Sequence, residues 1–203
     1  MSNIKNFKVH KLENPRYIHP MSFTFEQSGR KRTWEAVKSH DSVAVLLYHT
    51  KKNAFLLVKQ FRPAVYFANN QEGDGITYEL CAGLKDKDLD EFTITSEEID
   101  EECGFKVDPS HIERITAFYT AVGFSGGLQT VFYAEIDDDL KIHDGGGIES
   151  EEIELYYLPL DEAKSFVFDE SKPKTPGLIF SFYWFFQNKL DRKFDWLNFS
   201  SHF

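Results

Sequence analysis

Apolar residues along most of the chain follow the patterns of β-strands, because they either alternate with polar residues or form short apolar runs. Strands are predicted at 22–27, 31–38, 43–48, 54–61, 114–122, 128–136 and 153–158. The first two predicted strands are separated by Ser-Gly-Arg, and the next two by His-Thr-Lys-Lys-Asn. Both are turn sequences, so each pair is predicted to form a hairpin.

Helical patterns occur at three places after the fourth predicted strand. An acidic segment ends at Gly104, a short helix is predicted to begin at Asp161, and a longer helix lies within 175–190. Strands followed by a helix, and then strands followed by two helices, predict an α+β fold. We expect residues 1–40 to form an N-terminal β region and residues 41–203 to form the main domain.

The composition favours a folded, acidic protein. The chain has 203 residues, 41% of them hydrophobic, and a formal charge of −10. Nucleic acids and anionic membranes both attract basic surfaces, so we expect neither as a partner. A ligand that carries phosphate remains compatible with this charge if divalent cations mediate the contact.

The sequence lacks the patterns of secretion and membrane insertion. The first 17 residues contain no apolar core of a signal peptide, and the most apolar run, residues 177–186, is shorter than a bilayer-spanning helix. Cys81 and Cys103 are too few for a disulfide scaffold or a four-ligand zinc site, so we interpret them as buried thiols. We expect a soluble, cytoplasmic protein.

The acidic segment, residues 96–105, carries five carboxylates within six positions and then reaches Gly104. If the segment is helical, its negative charges lie at the C-terminal end, where the helix dipole favours cations. Each carboxylate at this end, and each pair of like charges three or four residues apart, destabilises the helix by about 0.3–1 kcal/mol. Glu98 would lie beside Glu101 and Glu102 on one edge of the helix. Mg²⁺ prefers such oxygen ligands, so a bound cation would relieve the repulsion. A solvated acidic face is the alternative interpretation.

The spacing around this segment favours the metal interpretation. Counting from Gly83 gives Gly-x5-Leu-x7-Glu-Glu-Ile-Asp-Glu-Glu-Cys-Gly-Phe. This pattern resembles the Nudix box, Gly-x5-Glu-x7-Arg-Glu-U-x-Glu-Glu-x-Gly-U, in which U is aliphatic or aromatic. The segments VKQFRP, VGFSGGLQTVFY and GGGIESEEIELYYLPL are similar to the nucleoside diphosphate-sugar pyrophosphatases of this superfamily. The resemblance covers residues 17–190 and is strongest to the branch that acts on UDP-glucose.

The resemblance implies a fold and a reaction. The fold would be a Nudix α/β/α sandwich, with the N-terminal β region exchanged or packed in a homodimer so that two chains share each site. The reaction would be Mg²⁺-dependent hydrolysis of UDP-glucose to UMP and glucose 1-phosphate, with Mn²⁺ as a possible replacement for Mg²⁺. Hydrolysis of ADP-ribose to AMP and ribose 5-phosphate is the alternative.

The resemblance also implies roles for individual residues. The expected metal ligands are the backbone carbonyl of Ala82 and the side chains of Glu98, Glu102 and Glu151. The expected catalytic carboxylates are Glu101, Glu149 and Glu151. The expected substrate-binding residues are Trp34, Arg62, Glu79 and Gly83. Two of these have structural alternatives, since Arg62 could form an ion pair with Glu79 and Trp34 could pack on a sheet.

Two positions depart from the Nudix box. Leu89 occupies a position that is Glu in the box, although the UDP-glucose branch is also apolar there. Glu97 occupies the position of the box Arg, and a carboxylate there is expected only to add repulsion. Glu97 therefore motivates a third hypothesis, a protein that binds nucleotide sugars but whose catalysis is weakened.

Overall fold

The computed structural model describes residues 4–15, 18–148 and 151–190, and these form two β-sheets and four α-helices. The strands are β1 (His19–Gln27), β2 (Arg30–Lys38), β3 (Ser42–His49), β4 (Ala54–Phe61), β5 (Ile76–Glu79), β6 (Cys81–Leu84), β7 (Glu113–Thr120), β8 (Gly127–Ile136) and β9 (Ile153–Pro159). The helices are α1 (Pro63–Ala68), α2 (Glu91–Glu98), α3 (Ala163–Phe168) and α4 (Pro176–Asn188). The predicted α+β fold is confirmed.

Strands β3 and β4 form the centre of a mixed seven-stranded sheet. They are joined by the predicted hairpin, with Leu47 opposite Leu56, and Asn53 in the turn takes a positive φ of 49°. Strand β3 also pairs with β8 in parallel and with β6 antiparallel, while β4 pairs antiparallel with β5 and β9. Both central strands are almost continuously apolar, as expected for strands covered on both faces.

Helices cover both faces of this sheet. Because side chains alternate along a strand, Ala44 and Leu46 of β3 pack towards α3 and α4, while Val45 and Leu47 pack towards α2. Phe55 stacks on Phe182 of α4 at a ring-centroid distance of 4.4 Å. Each such buried apolar side chain contributes about 1.5–3 kcal/mol. The sandwich therefore fixes the position of α2 relative to the strand edges that form the site.

The N-terminal hairpin lies outside the large sheet. Strands β1 and β2 pair only with each other, from His19 opposite Lys38 to Gln27 opposite Arg30. The hairpin is connected to the loop between β7 and β8 by a hydrogen bond from Val37 N to Phe124 O of 2.8 Å. The proposed division into residues 1–40 and 41–203 stays a prediction.

Two details of the fold add to the sequence patterns. Helix α1 was not predicted, and it begins at Pro63, where proline has no N–H to leave unpaired. Strands β5 and β6 lie in a segment for which the sequence pattern predicts no strand. Among the described residues, no helix is long and apolar enough to cross a membrane.

Candidate functional site

A cleft of about 530 Å³ brings together most of the predicted site residues, and we call it the carboxylate cleft. Eight of them line it: Arg62, Glu79, Ala82, Gly83, Glu98, Glu101, Glu102 and Glu151. Strands β4, β5 and β6 form one side of the cleft, and the end of α2 and the approach to β9 form the other. Trp34 does not line it, and Glu149 lies outside the described residues.

The acidic segment begins as an α-helix and ends as a wider turn. Asp90 caps α2 by accepting hydrogen bonds from the backbone N–H groups of Phe92 and Thr93. Helix α2 is followed by a π-helical turn, Ile99–Cys103, and Gly104 ends it with a positive φ of 76°. Gly104 therefore caps the C-terminal end of this segment. We refer to residues 91–103 as the acidic helix.

The carboxylate of Glu98 lies against the backbone of β6. A Cβ atom at Gly83 would lie 1.9 Å from Glu98 Oε1, so only glycine leaves room for this approach. Within the described residues, the Glu98 carboxylate has no hydrogen bond or ion pair. Burial and the neighbouring charge of Glu101 raise its pKa to about 7, although Lys87 opposes this rise. The structure thus holds an unneutralised acid at the cleft wall.

Glu102 is more deeply buried than Glu98, with only 5% of its surface exposed. Its Oε2 accepts a hydrogen bond from the backbone N–H of Ala82 at 3.0 Å. Burial raises the pKa of Glu102 to about 8, and the negative charges of Glu98 and Glu151 add to this effect. Two adjacent carboxyls with raised pKa values are typical of a site that is built for a charged ligand.

Arg62 and Glu79 form a forked ion pair on the opposite wall of the cleft. Arg62 Nε donates to Glu79 Oε1 and Arg62 Nη2 to Oε2, each at 2.7 Å, and Thr77 Oγ1 also donates to Oε1. Burial alone would raise the pKa of Glu79, but its hydrogen bonds with Arg62 and Thr77 hold the pKa below its ordinary value. The structural ion pair that the sequence left open is therefore present, and it lies within the cleft.

Trp34 lies on the N-terminal hairpin, with 52% of its surface exposed. Its Nε1–H donates to the backbone oxygen of Gly123 at 2.8 Å, in the loop between β7 and β8. This hydrogen bond fixes the indole edge and leaves much of the ring accessible. Trp34 is thus placed beside a loop and not packed on the large sheet.

Comparison with known proteins supports the resemblance of the sequence. The chain is 37% identical to uridine diphosphate glucose pyrophosphatase NUDT14 of Bos taurus, over 92% of the chain and 96% of that protein. The Mus musculus protein of the same name is 34% identical over the same shares. GDP-mannose pyrophosphatase of Cronobacter sakazakii is 41% identical over 61% of the chain and 62% of its own length. The chain belongs to the Nudix nucleoside diphosphate-sugar hydrolases. No protein-family model matches it.

The departure from the Nudix box at Glu97 is compensated in the structure. Lys87 Nζ donates to Glu97 Oε2 at 2.6 Å and lies 3.9 Å from Glu101 Oε1. The expectation that Glu97 only adds repulsion is wrong, because Glu97 has a cationic partner. Lys87 is not recognisable in the sequence as this partner, because the loop before α2 brings the two residues together across ten positions.

The donor set of this Nudix cleft fits a hard divalent cation. Glu98 is unpaired among the described residues, and Glu102 keeps one oxygen away from Ala82. No three acidic, histidine or cysteine side chains in the described part of the chain form a ready metal site. Mg²⁺ usually takes one or two carboxylates and completes its shell with water and substrate phosphate. Glu98 and Glu102 would hold the ion, with Glu101 and Glu151 at the same cleft.

Proposed function

We propose that the protein hydrolyses the diphosphate bond of UDP-glucose in a Mg²⁺-dependent reaction, giving UMP and glucose 1-phosphate. The observation that carries the proposal is the pair Glu98 and Glu102, two carboxyls whose raised pKa values reflect burial without neutralisation. Two relatives that are similar over 92% of the chain are named for UDP-glucose, which supports this substrate. A related activity on GDP-mannose is the second candidate, because bacterial relatives carry that name.

The residues of the cleft suggest how the reaction proceeds. A bound Mg²⁺ would neutralise charge that develops on the diphosphate oxygens. Glu98 and Glu102 would hold that ion, and Arg62, which is already oriented by Glu79, offers its remaining guanidinium N–H groups to the diphosphate. Water attacks one phosphorus atom, a new P–O bond forms, and the bond from that phosphorus to the bridging oxygen breaks.

The proton of the attacking water needs a carboxylate acceptor. We assign this role to Glu151, which lines the cleft together with the acidic helix, and we assign to Glu101, which lines the same cleft, a role in orienting the water. Glu149 remains the alternative base, although it lies outside the described residues. The proton passes from the base to solvent as the two monophosphate products leave.

A second pocket extends the cleft and could accept the rest of the substrate. It has a volume of about 360 Å³ and shares Glu79, Ala82 and Gln129 with the carboxylate cleft. Phe118 and Tyr119 supply aromatic wall, and Gln129 supplies a polar group. Aromatic and apolar walls with few polar groups are typical of sites for bases and sugars.

We also propose that two copies of the chain associate through the N-terminal hairpin. Phe23, Phe25 and Trp34 of this hairpin are each 44–52% exposed, which is a large apolar surface for an isolated chain. A second copy would cover them and could bring Trp34 to a substrate base. Sedimentation at several concentrations should give a dimer mass, and a Phe23→Glu, Phe25→Glu variant should be monomeric. A monomer at all concentrations for the unmodified protein would refute this arrangement.

The substrate proposal is tested by kinetics on a panel of nucleotide sugars. UDP-glucose, GDP-mannose and ADP-ribose are supplied with Mg²⁺, Mn²⁺ or EDTA, and products are separated by ion-exchange chromatography. UDP-glucose should have the highest kcat/KM, and EDTA should abolish turnover. Full activity in EDTA, or preference for another substrate, would contradict the assignment.

Two variants connect the activity to the cleft. Glu98→Gln should lower kcat by on the order of 100-fold or more, because it removes a charged oxygen ligand. Glu72→Gln, an exposed carboxylate outside the cleft, is the matched control and should retain full kcat. Equal rates for both variants would mean that the reaction occurs elsewhere.

A further inference from the structure

The loop that leads to Glu151 is attached to the end of the acidic helix by backbone hydrogen bonds. We call residues 142–148 the glycine loop. Gly146 N donates to Glu102 O at 2.9 Å, and Gly147 N donates to Glu101 O at 3.2 Å. The last carbonyl groups of a helix have no partner within the helix, so the glycine loop supplies donors that would otherwise be missing. The two loop contacts lie on the residues that carry the cleft carboxylates.

A side chain contributes a further connection between the same two elements. His143 Nδ1 accepts the backbone N–H of Gly145 at 3.0 Å, so Nε2 carries the ring hydrogen and donates to Asp100 Oδ1 at 2.7 Å. His143 thereby joins the turn of the glycine loop to the acidic helix. The backbone N–H of Ile142 adds a bond to Gly104 O at 2.8 Å.

The closeness of this attachment requires glycine at particular positions. A Cβ at Gly145 would lie 2.3 Å from the backbone oxygen of Glu102, which cannot move without the helix. A Cβ at Gly147 would lie 2.7 Å from both Cβ and Oε2 of Glu151. Gly147 also has a positive φ of 82°. The backbone N–H of Ile148 donates to the same Glu151 oxygen at 3.2 Å, so the loop itself orients the carboxylate.

We propose that Gly147 and His143 are positioning residues, which attach the glycine loop to the acidic helix and hold the Glu151 carboxylate at the cleft. This inference rests on the proposed function, because it assigns a use to the position of Glu151. In this arrangement the glycines allow the loop to pack closely on the end of the acidic helix. The proposed base, Glu151, and the acidic helix therefore form one unit. A displacement of the base by about 1 Å can reduce a rate by about 100-fold.

The main test compares Gly147→Ala with Gly73→Ala. Gly73 has a similar positive φ of 77°, but no atom lies within 4 Å of a Cβ placed there, so it reports backbone strain alone. Gly147→Ala should lower kcat by roughly 10- to 100-fold with KM changed less than about threefold. Gly73→Ala should lose similar thermal stability and retain its kcat. Equal kcat values for the two variants would overturn the proposal.

A double substitution tests whether Gly147 acts through Glu151. Gly147→Ala in a Glu151→Gln background should cause no further decrease in kcat, because the displaced group is already absent. If Gly147→Ala lowered kcat in the Glu151→Gln background by as much as it does alone, Gly147 would not act through Glu151.

His143→Ala adds no atoms to the loop and should lower kcat by roughly 3- to 10-fold. In the Glu151→Gln background it should cause no further decrease. An unchanged kcat for His143→Ala would remove His143 from the proposal.

Crystal structures separate this inference from the proposed function. If the unmodified protein hydrolyses no nucleotide sugar, the proposed function fails, but the position of Glu151 can still be compared between the unmodified protein and Gly147→Ala. We expect the Glu151 carboxylate to leave the cleft in the variant while the acidic helix stays in place. A Glu151 that superposes in both structures would overturn the inference whatever the activity.

Discussion

Replacement of Glu102 by Gln should stabilise the metal-free protein at alkaline pH, although it removes a residue of the proposed site. Only 5% of Glu102 is exposed, and its pKa is raised from the ordinary value of 4.5 to about 8. The folded protein therefore keeps a proton that the unfolded chain releases as the pH passes 4.5. Because the folded state binds more protons, its free energy of unfolding falls between pH 4.5 and 8.

The size of this effect follows from the pKa values. A rise in pKa from 4.5 to about 8 corresponds, at about 1.4 kcal/mol per pH unit, to on the order of 5 kcal/mol. Part of the rise comes from repulsion by the negative charges of Glu98 and Glu151, and this repulsion is absent when residue 102 is the neutral Gln. We therefore expect Glu102→Gln to be about 3–5 kcal/mol more stable than the unmodified protein at pH 9. The Gln side-chain oxygen can still accept the hydrogen bond from Ala82.

Urea denaturation in EDTA at several pH values between 4 and 9 measures this difference. The two curves of unfolding free energy should meet near pH 4 and separate as the pH rises through 8. The Glu72→Gln control should follow the unmodified protein. Addition of Mg²⁺ should stabilise the unmodified protein at pH 8 and have little effect on Glu102→Gln, since binding to the folded state alone raises stability. A pH-independent difference would show that Glu102 is ionised at neutral pH and would refute the reasoning.

Further substitutions test the other walls of the cleft. Gly83→Ala should displace the Glu98 carboxylate, and it should therefore lower kcat by on the order of 100-fold and abolish Mn²⁺ binding. Mn²⁺ binding is measured by electron paramagnetic resonance, and a retained affinity would contradict a role for the contact between Gly83 and Glu98. Arg62→Lys breaks the fork to Glu79 and should raise KM for the substrate by about tenfold with a smaller change in kcat, and an unchanged KM would exclude the diphosphate contact. Lys87→Ala should raise the pKa of Glu98 further, because it removes the positive charge that opposes the effect of burial. A carboxyl titration by NMR that gives the same Glu98 pKa in the variant and the unmodified protein would refute this.

Much of the fold could be predicted from local patterns. The hairpin between β3 and β4 follows from two apolar runs around a polar turn, and both runs became central strands. Strands β5 and β6 could not be recognised in the same way. Each is only four residues long, and β6 includes Gly83, which has low strand propensity. Its pairing with β3 comes from the long-range arrangement of the sheet.

The site was predictable where spacing along the acidic helix determines it. Glu98 and Glu102 line one cleft because the helix places them on one edge. The fixed spacing in the sequence between Gly83 and the helix corresponds to the close contact between β6 and the Glu98 carboxylate. Contacts between residues far apart in the sequence, such as those of the glycine loop with the helix end, left no comparable pattern in the sequence. A run of glycines by itself indicates only backbone freedom, whereas the glycine loop packs closely on the helix end. Whether these residues act as proposed stays a prediction.

The charge at Glu97 bears on whether this protein is an active enzyme or a weakened one. Weakened catalysis is expected if a carboxylate in place of the box Arg leaves the acidic helix without a cation. Lys87 supplies that cation from the preceding loop and is also among the charges that lower the pKa of Glu98. A lysine with 43% exposure contributes modestly to stability, since exposed ion pairs are worth about 0–1 kcal/mol. Its consequence is local, because a cation is still present at this edge, although it belongs to Lys87 and is paired with Glu97. Glu97→Arg alone would then place two cations together and break the Lys87 pair, so we expect a gain in Mg²⁺ affinity from this change only when Lys87 is also replaced.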